Sequence, residues 1–273
     1  MRPRRIVIRQ RILTGLILLP LLVLFVYFAG PAWFAALVTV VAIPALHELF
    51  SMSLPADRVL EKRIAVVAGA LLVPLVSLAP SPWGLGGIAL AFIFIAILFL
   101  LRFRDLASVI TQINLILLGF IYVPLLLAHL AMLRGLPDGR GWVFLVMLVV
   151  MAGDSAAYFS GINFGRHKLY PAISPKKSIE GAIGGLLGSL AGAFLAKLWF
   201  LPMLTGIDTL FLGLVLGSVG QLGDLFESML KRSFGVKDSG TLIPGHGGIL
   251  DRLDSLLFVF PLAYYYALLR FGA

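Results

Sequence analysis

The sequence predicts an all-α polytopic integral membrane protein of about nine transmembrane helices with a cytoplasm-facing polar site. Three observations carry that expectation. Of the 273 residues, 60% are hydrophobic and 13% charged, and the mean hydropathy of +1.03 lies outside the range of soluble globular domains. Apolar runs of roughly 20 residues, the length a helix needs to cross hydrocarbon, recur along the whole chain. The runs lack the two-residue alternation of barrel strands, and backbone amides in lipid have to be paired within their own segment or around a closed barrel, so helices follow.

In chain order the expected crossings are 12–29, 32–50, 64–79, 84–101, 109–133, 142–160, 178–201, 208–229 and 249–270. The first follows a stretch that is basic through Arg11, which gives it the look of a secretory signal. Apolar sequence resumes directly after Gly30-Pro31, and this favours a retained helix. His47-Glu48 near the end of the second reads as a polar pair in the interior or at the interface, and Gln112 and Asn114 in the fifth as partners for bonds between helices. Asp154 and Tyr158 stand near the end of the sixth. In the seventh, Ser174 suits an N-cap and Pro175 the first helical position, while Gly181, Gly184, Gly185 and Gly188 have spacing that suits close helix packing. Residues 1–140 thus hold about five helices and 141–273 about four, in one continuous membrane domain.

The formal charge is +9, from 22 Lys and Arg against 13 Asp and Glu. In a membrane protein this points to loops facing anionic lipid rather than to nucleic acid. With nine crossings and a cytoplasmic N-terminus, Arg2, Arg4, Arg5, Arg9, Arg11, Arg58, Lys62, Arg63, Arg102, Arg104, Arg166, Lys168, Lys176, Lys177, Lys231, Arg232, Lys237 and Arg252 fall inside. Only Arg134, Arg140, Lys197 and Arg270 fall outside or near it. The longest polar loops, about 161–177 and 230–248, then also face the cytoplasm, across the inner (cytoplasmic) membrane. The chain has no cysteine, which excludes disulfides, a thiolate metal site and a cysteine nucleophile.

Chemistry concentrates between the last two crossings. Asp251 and Asp254, three residues apart at the start of the ninth, project from one helix face. Asp224 lies near the end of the antiparallel eighth, so all three carboxylates reach a similar depth, roughly 5–10 Å below the boundary. At about 4 Å two carboxylates repel by about 4 kcal/mol at an effective dielectric near 20, so such a cluster takes up a proton or a cation. An all-oxygen site suits Mg²⁺. The alternative is that these acids pair with Arg252, Lys231 or Arg232 and help the helices pack. Gly245-His246-Gly247-Gly248 leads into the ninth helix, whose free amides and positive end attract phosphate, with Lys231, Arg232 and Lys237 as clamps. Lys176-Lys177-Ser178 forms a second cationic element at a helix start.

From Ser228 to Asp254 the chain resembles the signature of the phosphatidate cytidylyltransferases: Ser228, Lys231-Arg232, Lys237-Asp238, Pro244-Gly245-His246-Gly247-Gly248 and Asp251-Arg252-Leu253-Asp254, in order over 27 residues. Upstream, Asp154, Ala157-Tyr158-Phe159, Gly165 and Ser174 to Gly181 are similar to the same family. The resemblance spans roughly 150–255. It implies transfer of the cytidylyl group of CTP to phosphatidate, giving CDP-diacylglycerol and pyrophosphate. Asp224, Asp251 and Asp254 would hold Mg²⁺, with room for a second cation such as K⁺, and Lys231, Arg232, Lys237 and Arg252 would orient phosphates. Lys176, Lys177, Ser178, His246, Gly247, Gly248 and Asp154 are the candidates for binding substrate. A homodimer is compatible with this. A CTP-dependent polyprenol kinase and a cation-coupled transporter are the alternatives; the transporter is disfavoured because the acids cluster near one interface and no pair of broken helices stands in matching halves.

Overall fold

The computed structural model describes residues 20–79, 83–102, 105–242 and 247–272. The start of the first expected crossing, the turn through Ser81, Arg104 and the stretch from Pro244 to His246 lie outside the described residues. The elements are α1 (described over 20–28), α2 (Pro31–Ser53), α3 (Val59–Leu78), α4 (Trp83–Arg102), α5 (Leu106–Gly135), α6 (Gly139–Phe164), β1 (Lys168–Tyr170), β2 (Ser174–Ser178), α7 (Ile179–Trp199), α8 (Gly206–Ser233) and α9 (Leu250–Phe271). Within the described residues α2, α4, α5, α6, α7, α8 and α9 are long and apolar enough to cross a membrane. The first turn of α3 carries Glu61, Lys62 and Arg63, and α1 is described over one short stretch, so these two do not meet that measure. The protein is an all-α polytopic membrane protein. Its apolar exterior agrees: Trp199 is 83% exposed and Leu269 84%, an arrangement that suits lipid and not water.

The described residues form two compact units, one running to Met132 and including Asp238–Asp251, the other comprising Leu133–Lys237 and the residues from Arg252 on. In the first, α2 packs on α3, α3 on α4, and α5 on both α2 and α3. Gly69 and Gly119 make room for aromatic side chains, since a Cβ on Gly69 would overlap Phe120 and one on Gly119 would overlap Phe50. Those two rings meet edge to face at 6.4 Å. The long helix α5 opens with Asp105 as N-cap, whose carboxylate accepts from the amides of Ala107 and Ser108 and is held below its usual range by them. It widens into a π-turn at Ile121–Leu125, where Pro124 has no N–H to give to the preceding turn. Gln112, expected to bond between helices, instead donates to Ser108 one turn back in the same helix, at 3.0 Å.

A buried ion pair ties α3 to the end of α4. Glu61 accepts from Arg58 at 3.1 Å and from Arg102 at 3.2 Å, with Glu61 and Arg58 almost fully buried and the Arg58 guanidinium 5.5 Å from the Phe99 ring centre. Removing one partner of a buried pair strands the other charge. Glu61→Ala is therefore expected to destabilise the protein by about 3 kcal/mol, read as a lowered thermal midpoint in detergent. A midpoint equal to that of the unaltered protein would show that Arg58 finds other acceptors.

In the second unit α6, α7 and α8 pack against one another. The α6–α7 seam is built on small residues. A Cβ on Gly184 would overlap Ser160, one on Gly188 would overlap Ala152 and Ala156, and one on Gly153 would overlap Ser189. The expected packing role of the α7 glycines is what the structure shows. α8 begins with a capping box between Thr205 and Asp208, and Asp208 also accepts from Tyr266 of α9 at 2.6 Å and pairs with Arg270 at 3.6 Å. Phe211 stacks on Tyr266 at 5.1 Å, which fixes α9 against α8 at that end.

Candidate active site

At the opposite end of α8 the second unit gathers its charge. α8 stops in a Schellman turn: Gly235 adopts φ +71, its amide donates to Arg232 O at 3.1 Å, and the Val236 amide donates to Lys231 O at 2.9 Å. Only a residue that tolerates a left-handed backbone fits there, and the turn sends the chain from Lys231-Arg232 toward Lys237. α8 and α9 approach closely near Gly223, where a Cβ would fall 2.6 Å from Asp254 O. Asp224 and Asp254 are thereby within electrostatic reach of each other, as expected from sequence, and Asp154 of α6 joins both.

Three carboxylates together need compensation. The Lys177 ammonium stands 2.6 Å from Asp224, each side chain about a third exposed or less. Arg252 acts on Asp154 and Lys231 on Asp254. Lys231 also pairs with Glu227 one turn back at 2.6 Å, with Glu227 fully buried. Glu227 was not singled out in the sequence; its signal is its place four residues before Lys231, on the same helix face. Arg232 is exposed and donates to Val236 O at 3.0 Å, and Lys237 is exposed.

The helix expected to start at Ser174 starts four residues later. Ser174–Ser178 is a strand paired antiparallel with Lys168–Tyr170, and Ser178 is the N-cap of α7, accepting from Gly181 N at 3.1 Å. Lys176 and Lys177 thus sit on a hairpin and not on a helix start. Glu180 anchors the hairpin base, taking the amides of Arg166 and His167 and the His167 ring at 2.6 Å. The hairpin borders a cavity of about 520 Å³ lined by Asp154, Tyr158, Lys176, Lys177, Gln221 and Asp224, among others, with Ser178 also on its wall. Acids, two lysines and an apolar wall meet there, an arrangement suited to an anionic amphiphile.

The first unit holds the glycine-rich run. Gly247 has φ +86, and His246 lies outside the described residues. The amides leading into α9 are in part already taken. Gly248 N donates to Asp251 at 2.8 Å, while Ile249 N and Leu250 N donate to Glu48 at 3.0 and 2.9 Å. Two carboxylates, Glu48 and Asp251, thus already stand at the positive helix end. Asp251 further accepts from Ser239 N at 3.0 Å. Among the described residues, no three His, Asp or Glu side chains form a ready-made metal cage. The oxygen donors are of the type Mg²⁺ takes, and the mutual repulsion of Asp154, Asp224 and Asp254 favours a cation beside them.

The sequence profile of the cytidylyltransferase family matches residues 9–269. The chain belongs to the cytidylyltransferase family. It is 36% identical over 269 residues to a phosphatidate cytidylyltransferase of Bacillus subtilis (strain 168), covering 94% of this chain and 96% of that protein. It is 52% identical over 126 residues to the phosphatidate cytidylyltransferase of Staphylococcus haemolyticus (strain JCSC1435), which covers 46% of this chain and 48% of that one. A relative of the same name from Staphylococcus saprophyticus is 40% identical over 187 residues, 64% of this chain and 65% of its own. The family match takes in the sequence before residue 140, whose resemblance at the level of motifs was confined to apolar helices.

Proposed function

We propose that this protein transfers the cytidylyl group of CTP to phosphatidate, giving CDP-diacylglycerol and pyrophosphate, as a step of phospholipid biosynthesis. The observation that carries this is the near full-length similarity to the Bacillus subtilis phosphatidate cytidylyltransferase, joined to a cavity in a membrane-embedded unit where acids and lysines meet an apolar wall. In the transfer, a phosphatidate oxygen bonds to the α-phosphorus of CTP and the bond from that phosphorus to the bridging oxygen breaks, releasing pyrophosphate. The phosphatidate phosphate is already anionic near neutral pH, so no general base is required.

Lys176 and Lys177 hold one of the substrate headgroups at the cavity, with Asp154 and Ser178 shaping its wall; Lys231, Arg232, Lys237 and Arg252 orient phosphates, and His246, Gly247 and Gly248 are the remaining residues proposed to bind substrate. Asp224, Asp251 and Asp254 are the residues to hold Mg²⁺, with a second cation such as K⁺ compatible with the same oxygens. Mg²⁺ bound there would neutralise charge on the triphosphate and the departing pyrophosphate. The excess of Lys and Arg in loops expected inside supports a site facing the cytoplasm, in the inner membrane.

Purified protein given phosphatidate, Mg²⁺ and CTP labelled at the α-position is expected to yield labelled lipid, and CTP labelled at the γ-position to release labelled pyrophosphate and leave the lipid unlabelled. Label from the γ-position in lipid would establish a kinase instead. Absence of both products would overturn the transfer and the kinase readings alike.

A further inference from the structure

We propose that Glu48 is a positioning residue of the active site, whose carboxylate sets where α9 begins and grips the incoming loop, so that Asp251 and the turn after it present their charges in one arrangement. The kinetic consequence of this rests on the cytidylyl-transfer reading above; the structural one stands without it.

Glu48 lies on α2, is only 6% exposed, and takes three donors on two oxygens: Ile249 N at 3.0 Å on one, and Leu250 N and the Ser239 hydroxyl, both at 2.9 Å, on the other. A helix start leaves four amides without partners in the helix, and a chain that crosses lipid has little water to satisfy them. Here two of the four are met by a side chain about 200 residues earlier in the sequence. The start of α9 is therefore fixed from α2.

Ser239 is held twice. Its hydroxyl goes to Glu48 and its amide to Asp251, whose carboxylate also takes Gly248 N. Loosening Glu48 frees Ser239, and with it a donor that fixes the Asp251 carboxylate. Two glycines leave room for this arrangement. A Cβ on Gly240 or on Gly248 would overlap the Glu48 carboxylate, so the backbone of the loop approaches the acid as closely as the chain allows. Both Glu48 oxygens are committed to donors, which assigns the residue to holding geometry and not to moving a proton. A Gln at this position keeps one acceptor and turns an NH₂ toward N–H donors, and an Asp falls short by one methylene.

The test uses the full-length protein in detergent micelles. In E48Q the turnover per folded molecule is expected to fall roughly thirtyfold, with the KM for phosphatidate within about twofold of the unaltered value, because displacement near 1 Å at a reacting centre costs rate before binding. Amide exchange in peptides covering 247–252 is expected to quicken about tenfold, the scale of a lost helix cap. Gly240→Ala is expected to reproduce both effects, and Ser239→Ala both to a smaller extent. A lowered thermal midpoint with unchanged turnover per folded molecule would make Glu48 a stability residue only and overturn the proposal. If E48Q does not fold, Ser239→Ala and Gly240→Ala decide, and unchanged exchange and turnover in both overturns it. If the unaltered protein forms no CDP-diacylglycerol, the transfer reading fails, whereas quickened exchange in E48Q still upholds the cap.

Discussion

Asp251→Asn is expected to lower CDP-diacylglycerol formation about a hundredfold or more, with the protein still extracted and folded in detergent. Two effects combine in that loss. The substitution removes a charge from the candidate metal-holding set, and it replaces a carboxylate that accepts from Ser239 N and Gly248 N by an amide with one acceptor oxygen. A Mg²⁺ titration separates them. Loss of charge at a cation site moves the half-saturating Mg²⁺ upward by tenfold or so, whereas a loosened loop lowers turnover at every Mg²⁺ concentration. Near-normal turnover together with an unchanged half-saturating Mg²⁺ would remove Asp251 from the site.

Lys177→Met is expected to have an effect of similar size. Its ammonium stands 2.6 Å from Asp224 and compensates charge in a cluster that also holds Asp154 and Asp254. Repulsion between two carboxylates at about 4 Å is worth about 4 kcal/mol at an effective dielectric near 20, enough to shift protons or side chains once the cation is gone. Turnover is expected to drop about a hundredfold in Lys177→Met and about tenfold in Lys177→Arg, which keeps the charge but not the compact ammonium. Retention of a third or more of the activity by the Met variant would show that the cluster is compensated elsewhere and that the hairpin only lines the cavity.

Much of this was legible in the residues. Helix positions followed from apolar length, because lipid leaves the backbone few options. The association of Asp224 with Asp254 followed from counting rise along two antiparallel helices. The hairpin was not legible: Ser174-Pro175 carries a good helix-start signal, yet Ser178 has the same capping chemistry and the β1 partner strand claims the residues between them. Sequence spacing also hid Glu48, since a cap supplied by another helix leaves no local trace in the segment it caps. Two of the amides expected to be open to phosphate donate to Glu48 for the same reason. Asp154 was legible as a residue but not as a member of the acidic group, because its neighbours come from helices far along the chain.

The glycine seam between α6 and α7 has a consequence for substrate choice. Because Gly184 and Gly188 meet Ser160, Ala152 and Ala156 across nothing longer than a serine side chain, these two helices lie close together. Asp154 and Tyr158 line the cavity from one side of that seam and Gly181 and Ala182 from the other. The separation of those two walls is thus held by the seam, and the room left for a headgroup there is adjusted by the longer side chains around them, Tyr158, Lys176 and Lys177.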